Sequence, residues 1–225
     1  MSETADPANA GDVSLRDRAV ERSLRAARAK AVSRSDGFIR TATELLSETG
    51  RTDFTVQELV ERSKTSLRSF YQHFSSKDEL LLALFEEVLG STMTEWRAVL
   101  EEHTESAVEQ LRFVATSLYS ESANEQMAGM SRALSAYHLQ LAETRPLEYA
   151  RVLLPVRDLI LDLVRAGVKS GAFRKDVEAE MLAMILMQTV VGAAHMHALG
   201  AELTGTPLEV DKLWSFCLSG LTGGK

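Results

Sequence analysis

The chain has 225 residues, 45% of them hydrophobic, with four Pro, a single Cys and a formal net charge of −7. That length fits one large domain, or a small domain beside a larger one, and the apolar content excludes wholesale disorder. A lone Cys excludes a disulfide framework and a Cys-rich zinc module, and residues 1–14 lack the apolar run of a signal peptide, so a cytoplasmic chain is expected.

The net charge argues against a polyanionic partner until it is divided along the chain. Residues 1–85 hold 13 basic and 13 acidic side chains, whereas residues 86–225 hold 12 and 19. Residues 13–40 alone carry eight basic side chains against three acidic. Such asymmetry points to a front that faces a polyanion and a rear with a different task.

Residues 1–13 are small and polar and are expected to form a disordered tail. From Ser14 to Ser33, Val20, Leu24, Ala27 and Ala31 recur at helical spacing. Arg18, Arg22, Arg25 and Arg28 fall on the other side, which predicts an amphipathic basic helix. A second helix is predicted over 36–49, ending at Gly50 in the position that favours a left-handed cap. Thr55 with Glu58 spells a capping box opening a short helix over 56–62. After a break at Ser63–Thr65, another short helix runs over 66–72, and Ser75 or Ser76 caps a long one over 76–102.

Helical periodicity then continues, with helices predicted near 104–121, 123–142, 146–170, 177–199 and 207–219. Pro146 and Pro207 stand where a first-turn proline belongs. Pro155, inside an apolar pattern, should kink or split its helix. Gly167, Gly171, Gly200 and Gly205 are read as helix ends. Residues 181–201 carry no charge, and Gln188, Thr189, His195 and His197 among them argue for a helix buried on several sides, in a core or at a subunit interface, rather than a membrane span. The fold class is therefore all-α, with no membrane segment.

Two short helices across a three-residue turn, braced by a preceding helix, form a helix-turn-helix whose second helix fits the major groove of DNA. Arg68 can make a bidentate contact to a guanine edge, and Thr65, Ser66 and Ser69 supply short hydroxyls. Tyr71, Gln72, His73 and Lys77 follow as candidate phosphate or base contacts.

The residues Phe38–Ala42, Leu45, Leu46, Gly50, Phe54–Val56, Leu59, Val60 and Ser66 fall into a recognisable pattern. With the block Phe70-Tyr71-Gln72-His73-Phe74-Ser75-Ser76-Lys77-Asp78-Glu79-Leu80-Leu81, it resembles the N-terminal signature of TetR-family transcriptional regulators. The resemblance spans residues 36–85, and the wording around Leu67–Tyr71 is similar to actinobacterial members. It implies a three-helix DNA-binding domain over 36–82 and a larger helical domain over 83–225 for ligand binding and dimerisation. Residues 1–35 would be a flexible or helical basic arm. Carried over position by position, it places Thr55, Thr65, Ser66, Leu67, Arg68, Tyr71, His73 and Lys77 on a double-stranded operator. Phe38, Ala42, Leu45, Val56, Leu59, Phe70 and Phe74 would be the small domain's core. The family's turn usually carries a Gly where this chain has Lys64, which implies a strained or altered turn and offers an extra phosphate contact.

The resemblance further implies a homodimer on a palindromic operator, acting as a repressor released by a small apolar effector. Trp96, Phe113, Tyr119, Met127, Met130, Tyr137, His138 and Met184 are the candidate pocket residues. Met187, Val191, Ala194, Leu213, Trp214 and Phe216 are the candidate dimer contacts. For the arm, Arg18, Arg22, Arg25 and Arg28 would neutralise DNA backbone charge. An enzyme is not indicated: no Gly-rich phosphate loop, nucleophile elbow or metal-ligand spacing occurs, and no cofactor or metal is implied. His195 and His197, about 200° apart on a helix, cannot share a metal. The alternative is a helical adaptor of the same fold that binds protein rather than DNA.

Overall fold

The computed structural model describes residues 15–102, 106–122, 124, 127–201 and 208–223, without the side chains of residues 15–19, 25–27, 29, 121 and 122. Among the described residues the structure is helical, with no strand. The helices are α1 (Leu15–Thr49), α2 (Val56–Arg62), α3 (Leu67–Tyr71), α4 (Lys77–Glu102) and α5 (Ala107–Ser122), then α6 (Ala128–Thr144), α7 (Pro146–Ser170), α8 (Ala179–Leu199) and α9 (Val210–Thr222).

The two helices expected over 14–33 and 36–49 are one. Ser35-Asp36-Gly37 reads locally as a stop and restart, yet nothing packs there to force a break. Gly37 costs only about 1 kcal/mol inside a helix, and the Thr41 hydroxyl donates to its carbonyl at 3.0 Å. Pro155 does not split α7 either. It is exposed, so the ladder bond it removes lies on the water side. Gly167 is interior to α7 and is covered by the Phe173 ring, while Gly171 and Gly200 form the left-handed helix ends. Pro207, Gly205 and residues 1–14 lie outside the described residues.

Two hydrophobic cores follow. The first gathers Phe38, Ala42 and Leu46 of α1, Leu59 and Val60 of α2, Phe70 of α3, Phe74, and Leu80, Leu81, Leu84 and Phe85 of α4. Leu45 and Val56 are only half-buried at its edge. This core does not end with the small domain, because Met130, Ala133, Tyr137 and Leu141 of α6 and Val152 of α7 complete it. The second core joins Met93 and Trp96 of α4 to α5, α7, α8 and α9. Helix α4 therefore runs through both.

The two halves approach closely at Gly129, the second residue of α6. A Cβ there would overlap the Ser47 carbonyl oxygen of α1. Only hydrogen fits between the two backbones. The expected result of Gly129→Ala is therefore a loss of about 1–3 kcal/mol of unfolding free energy, the usual cost of overpacking, measured by urea titration. An unchanged midpoint would show that α6 rests on α1 more loosely than this.

Candidate nucleic-acid interface and effector cavity

The interface is built on caps. The Thr55 hydroxyl accepts the Glu58 N–H at 3.1 Å, while the Thr55 N–H donates to the Glu58 carboxylate at 2.6 Å. The Thr55 N–H and the Thr55 hydroxyl, both donated to the Glu58 carboxylate, hold that carboxyl below its ordinary range. At the other end of α2, Thr65 N–H reaches the Val60 carbonyl at 2.8 Å and Lys64 N–H reaches Glu61 at 3.2 Å. This is a Schellman ending, and it puts Lys64 in the left-handed region at φ 52°. Lys64 is the one non-glycine residue with positive φ among the described residues. The expected strain at this turn is present.

Helix α3 has five residues. Its start is fixed by Ser66, whose hydroxyl accepts the Ser69 N–H at 3.1 Å. Its underside is fixed by Phe70, fully buried edge-on to Phe38 at 5.6 Å and tilted against Phe74 at 5.8 Å. Thr65, Ser66, Leu67, Arg68, Tyr71 and Gln72 are consequently turned to water together. Tyr71 is 58% exposed although its ring edge touches Phe70. Arg68 and Lys64 enter no ion pair among the described residues. Thr55 is exposed at the start of α2, and His73 is half-buried beside Phe38 at 6.0 Å.

Lys77 is corrected. Its ammonium donates to the carbonyls of Thr52 and Phe54 at 2.9 and 3.0 Å and sits over the Phe54 ring. It stitches the α1–α2 loop to α4 and is not a free cation. Arg62, unmarked in the sequence reading, does similar work: it clasps Glu48 with both guanidinium nitrogens and approaches Glu44 at 3.5 Å. Of the expected arm, Arg22 and Arg28 are exposed on α1, and the side chains of Arg18 and Arg25 lie outside the described residues.

A cavity of about 350 Å³ lies among α4, α5, α6 and α7, within the range of small-molecule sites. Its walls are apolar, from Phe85, Val88, Leu89 and Trp96 of α4, Met127, Met130 and Leu134 about α6, and Val156 of α7. Thr92, Glu95, Asn124, Ser131 and Ser135 add polar groups. Trp96, Met127 and Met130 were expected here. The other α4 residues are not among those expected, although their spacing of three and four marks one helix face.

The other expected pocket residues do not line this cavity. Phe113 backs the Trp96 ring at 6.5 Å, and Tyr119 faces His197 at 5.5 Å. Tyr137 belongs to the first core and donates its hydroxyl to the Asp78 carbonyl at 3.2 Å, with burial pushing its phenol up to about 12. His138 is buried, bonded to the Tyr149 hydroxyl at 2.7 Å and edge-on to His195 at 4.2 Å. Met184 is exposed on the outer side of α8.

Helix α8 is buried on one side within the chain, and its outer side is open. Leu182, Ala183, Leu186, Val190 and Ala194 face the second core, but Met181, Met184, Ile185 and Met196 are exposed. Length and composition alone would let α8 cross a membrane, yet one face packs on protein. Of the expected dimer contacts, Ala194, Leu213 and Trp214 turn inward, because α9 lays its 213, 214, 217, 221 stripe on its own core. Met187 and Val191 are half-buried, while Phe216 is 70% exposed beside an apolar groove of about 500 Å³ between α8 and α9. Cys217 lines that groove with its thiol pushed up by burial.

Residues 38–84 match the family described as bacterial regulatory proteins, tetR family. The chain is 24% identical over 163 residues to the HTH-type transcriptional repressor KstR2 of Rhodococcus jostii, covering 72% of this chain and 79% of that one. It superposes on the transcriptional regulator FadR of Bacillus subtilis, solved with stearoyl-CoA, with TM-score 0.65, 16% identity and coverage of 84% and 98%. It also superposes on the repressor FadR of Thermus thermophilus, solved with lauroyl-CoA, with TM-score 0.62, 23% identity and coverage of 83% and 94%.

Two outcomes follow from this geometry. Lys64→Gly removes the left-handed strain and is expected to raise unfolding free energy by about 1 kcal/mol, read by urea titration. Burial, with His195 alongside, lowers the pKa of His138 to about 3. The unfolded chain therefore takes up a proton near pH 6.5 that the folded chain refuses. Stability is full above about pH 6.5 and falls below it by up to about 1.4 kcal/mol per pH unit. Between pH 7.5 and 5.5, His138→Gln should lose less stability than the wild type; equal losses would remove His138 as the cause.

Proposed function

From the chain's place in the TetR family of transcriptional regulators, we propose that it is a cytoplasmic repressor that binds a palindromic operator as a homodimer and leaves it when a small apolar effector fills the α4–α7 cavity. The observation that carries this reading is the shared position of α6. Its Met130, Leu134 and neighbouring serines line the cavity, its Gly129 abuts α1, and its Tyr137 is bonded to the first turn of α4. An occupant that displaces α6 must move the helices that hold α3. A ligand favouring the displaced form then lowers DNA affinity by its differential affinity for the two forms.

On DNA, α3 enters the major groove with Arg68 reading a base edge and Tyr71, Thr65, Ser66 and Gln72 around it. Thr55 and Lys64 meet phosphates at the edges of the motif, Leu67 gives an apolar contact and His73 a backbone one. The dimer forms through the outer side of α8 and α9, where Met184, Ile185 and Phe216 are unburied, with Met187 and Val191 at its margin. The effector has an apolar body and a polar end directed to Thr92, Glu95 or Ser131. The acyl-CoA thioesters of the two FadR structures make acyl compounds the first class to try.

The test is selection of duplex DNA from a random pool. The expected product is a two-fold symmetric sequence with half-sites about one helical turn, or a multiple, apart. Arg68→Ala should weaken binding about tenfold to hundredfold and relax one position, since a bidentate contact is worth about 1–3 kcal/mol. Medium-chain acyl-CoA should release the DNA, and Leu134→Trp, which fills the cavity, should abolish release while leaving DNA binding intact. A selection without symmetry or consensus overturns the reading.

A further inference from the structure

Helix α1 has 35 residues, and among its described side chains those that enter the core begin at Phe38. Upstream, Val20, Leu24 and Val32 are exposed although they are apolar. Phe38 lies beside Phe70 and His73, so the helix leaves the domain at the end where the recognition helix sits. Residues 15–37 span about 34 Å at 1.5 Å per residue, close to one turn of duplex DNA.

Charge sets the kind of partner. Residues 15–34 hold seven basic side chains and two acidic. Arg22, Arg28, Lys30 and Arg34 are exposed and in no ion pair among the described residues. In the larger half, by contrast, Arg112, Arg145, Arg151, Arg157, Arg165 and Arg174 each hold a carboxylate. Arg18/Arg22, Arg22/Arg25, Arg25/Arg28 and Lys30/Arg34 are also like-charge neighbours at three- and four-residue spacing, which weakens a helix. A second copy of this segment would bring the same charge and add to that repulsion. A line of phosphates relieves it.

We propose that residues 15–34 of α1 form a rigid second DNA contact, a basic rod lying along backbone phosphates outside the bases that α3 reads. It differs from a flexible arm in being continuous with the helix that braces α3, so its position is fixed by the docking of the recognition helix. It contributes affinity and salt dependence and no base preference. The inference rests on the operator-binding reading above.

The experiment compares the full chain, a variant lacking residues 1–33 and the full-length variant R22Q/R28Q/K30Q/R34Q on the duplex that the full chain selects from a random pool. The glutamine variant keeps the helix and both cores. Each phosphate contact contributes about 0.9 to the slope of log K against log salt. Both altered proteins should keep the same consensus, bind at least tenfold more weakly near 0.1 M salt, and show a slope smaller by about 2–4 per subunit. They should also lose hydroxyl-radical protection outside the consensus. If the full chain selects no sequence, the operator reading fails. If it selects one while slope and protection are unchanged in both variants, this inference is overturned. A truncated protein that sediments as a monomer with slope per subunit unchanged also overturns it, in favour of a contact between copies.

Discussion

A five-residue helix has no stability of its own in water, since nucleation costs more than so few hydrogen bonds return. Helix α3 is held because Phe70 is enclosed by Phe38 and Phe74, with ring centroids 5.6 and 5.8 Å away. Burying a side chain of that size contributes about 1.5–3 kcal/mol, more than the helix could supply. The same enclosure decides which residues face outward. With Phe70 turned in, Thr65, Ser66, Arg68 and Tyr71 have no other side to occupy. The exposed face of α3 is therefore a consequence of one aromatic contact. Arg62 to Glu48 and Lys77 to the Thr52 and Phe54 carbonyls keep α2 and α4 in register around it.

That aromatic core is not self-contained. It borrows Met130, Ala133, Tyr137 and Leu141 from α6, and α6 also forms a wall of the cavity. A helix that belongs to a packed core on one side and to a void on the other is a suitable transmitter, because a core is close-packed and yields by rigid displacement rather than by local give. At Gly129 there is no side chain to absorb movement between α6 and the end of α1. The His138, Tyr149 and His195 cluster ties α6 to α7 and α8. Both positions favour movement of α6 as a unit.

Local physics was legible in the sequence and tertiary pairing was not. The Thr55–Glu58 box, the Gly50 end and the strain at Lys64 all depend on residues within five positions, and each is found. The Arg62 clasp spans fourteen residues and the Lys77 bonds twenty-five and twenty-three. No spacing announces either contact. Helical periodicity showed that α8 and α9 have apolar faces, but an apolar face does not say whether it meets its own core or another chain. That is why Leu213 and Trp214 were expected outside and lie inside, with Phe216 left exposed. Of the expected pocket residues Trp96, Met127 and Met130 line the cavity, while Met184 lies outside it on α8. The lining depends on which face of α4 turns toward α6, and Phe85, Val88 and Thr92 could have been found by following that face.

The distribution of charge is more telling than its sum. A chain with net charge −7 would be repelled by DNA if its charges were smeared evenly. In the larger half, the arginines that meet carboxylates are neutralised locally, whereas Arg22, Arg28, Arg34 and Arg68 have no carboxylate partner among the described residues. Screening limits each surface charge to about 8–10 Å at physiological salt, so the acidic half is not felt at the α1–α3 face. The excess acid then has a separate consequence. It disfavours lying lengthwise on a polyanion and favours an approach by the α1–α3 end.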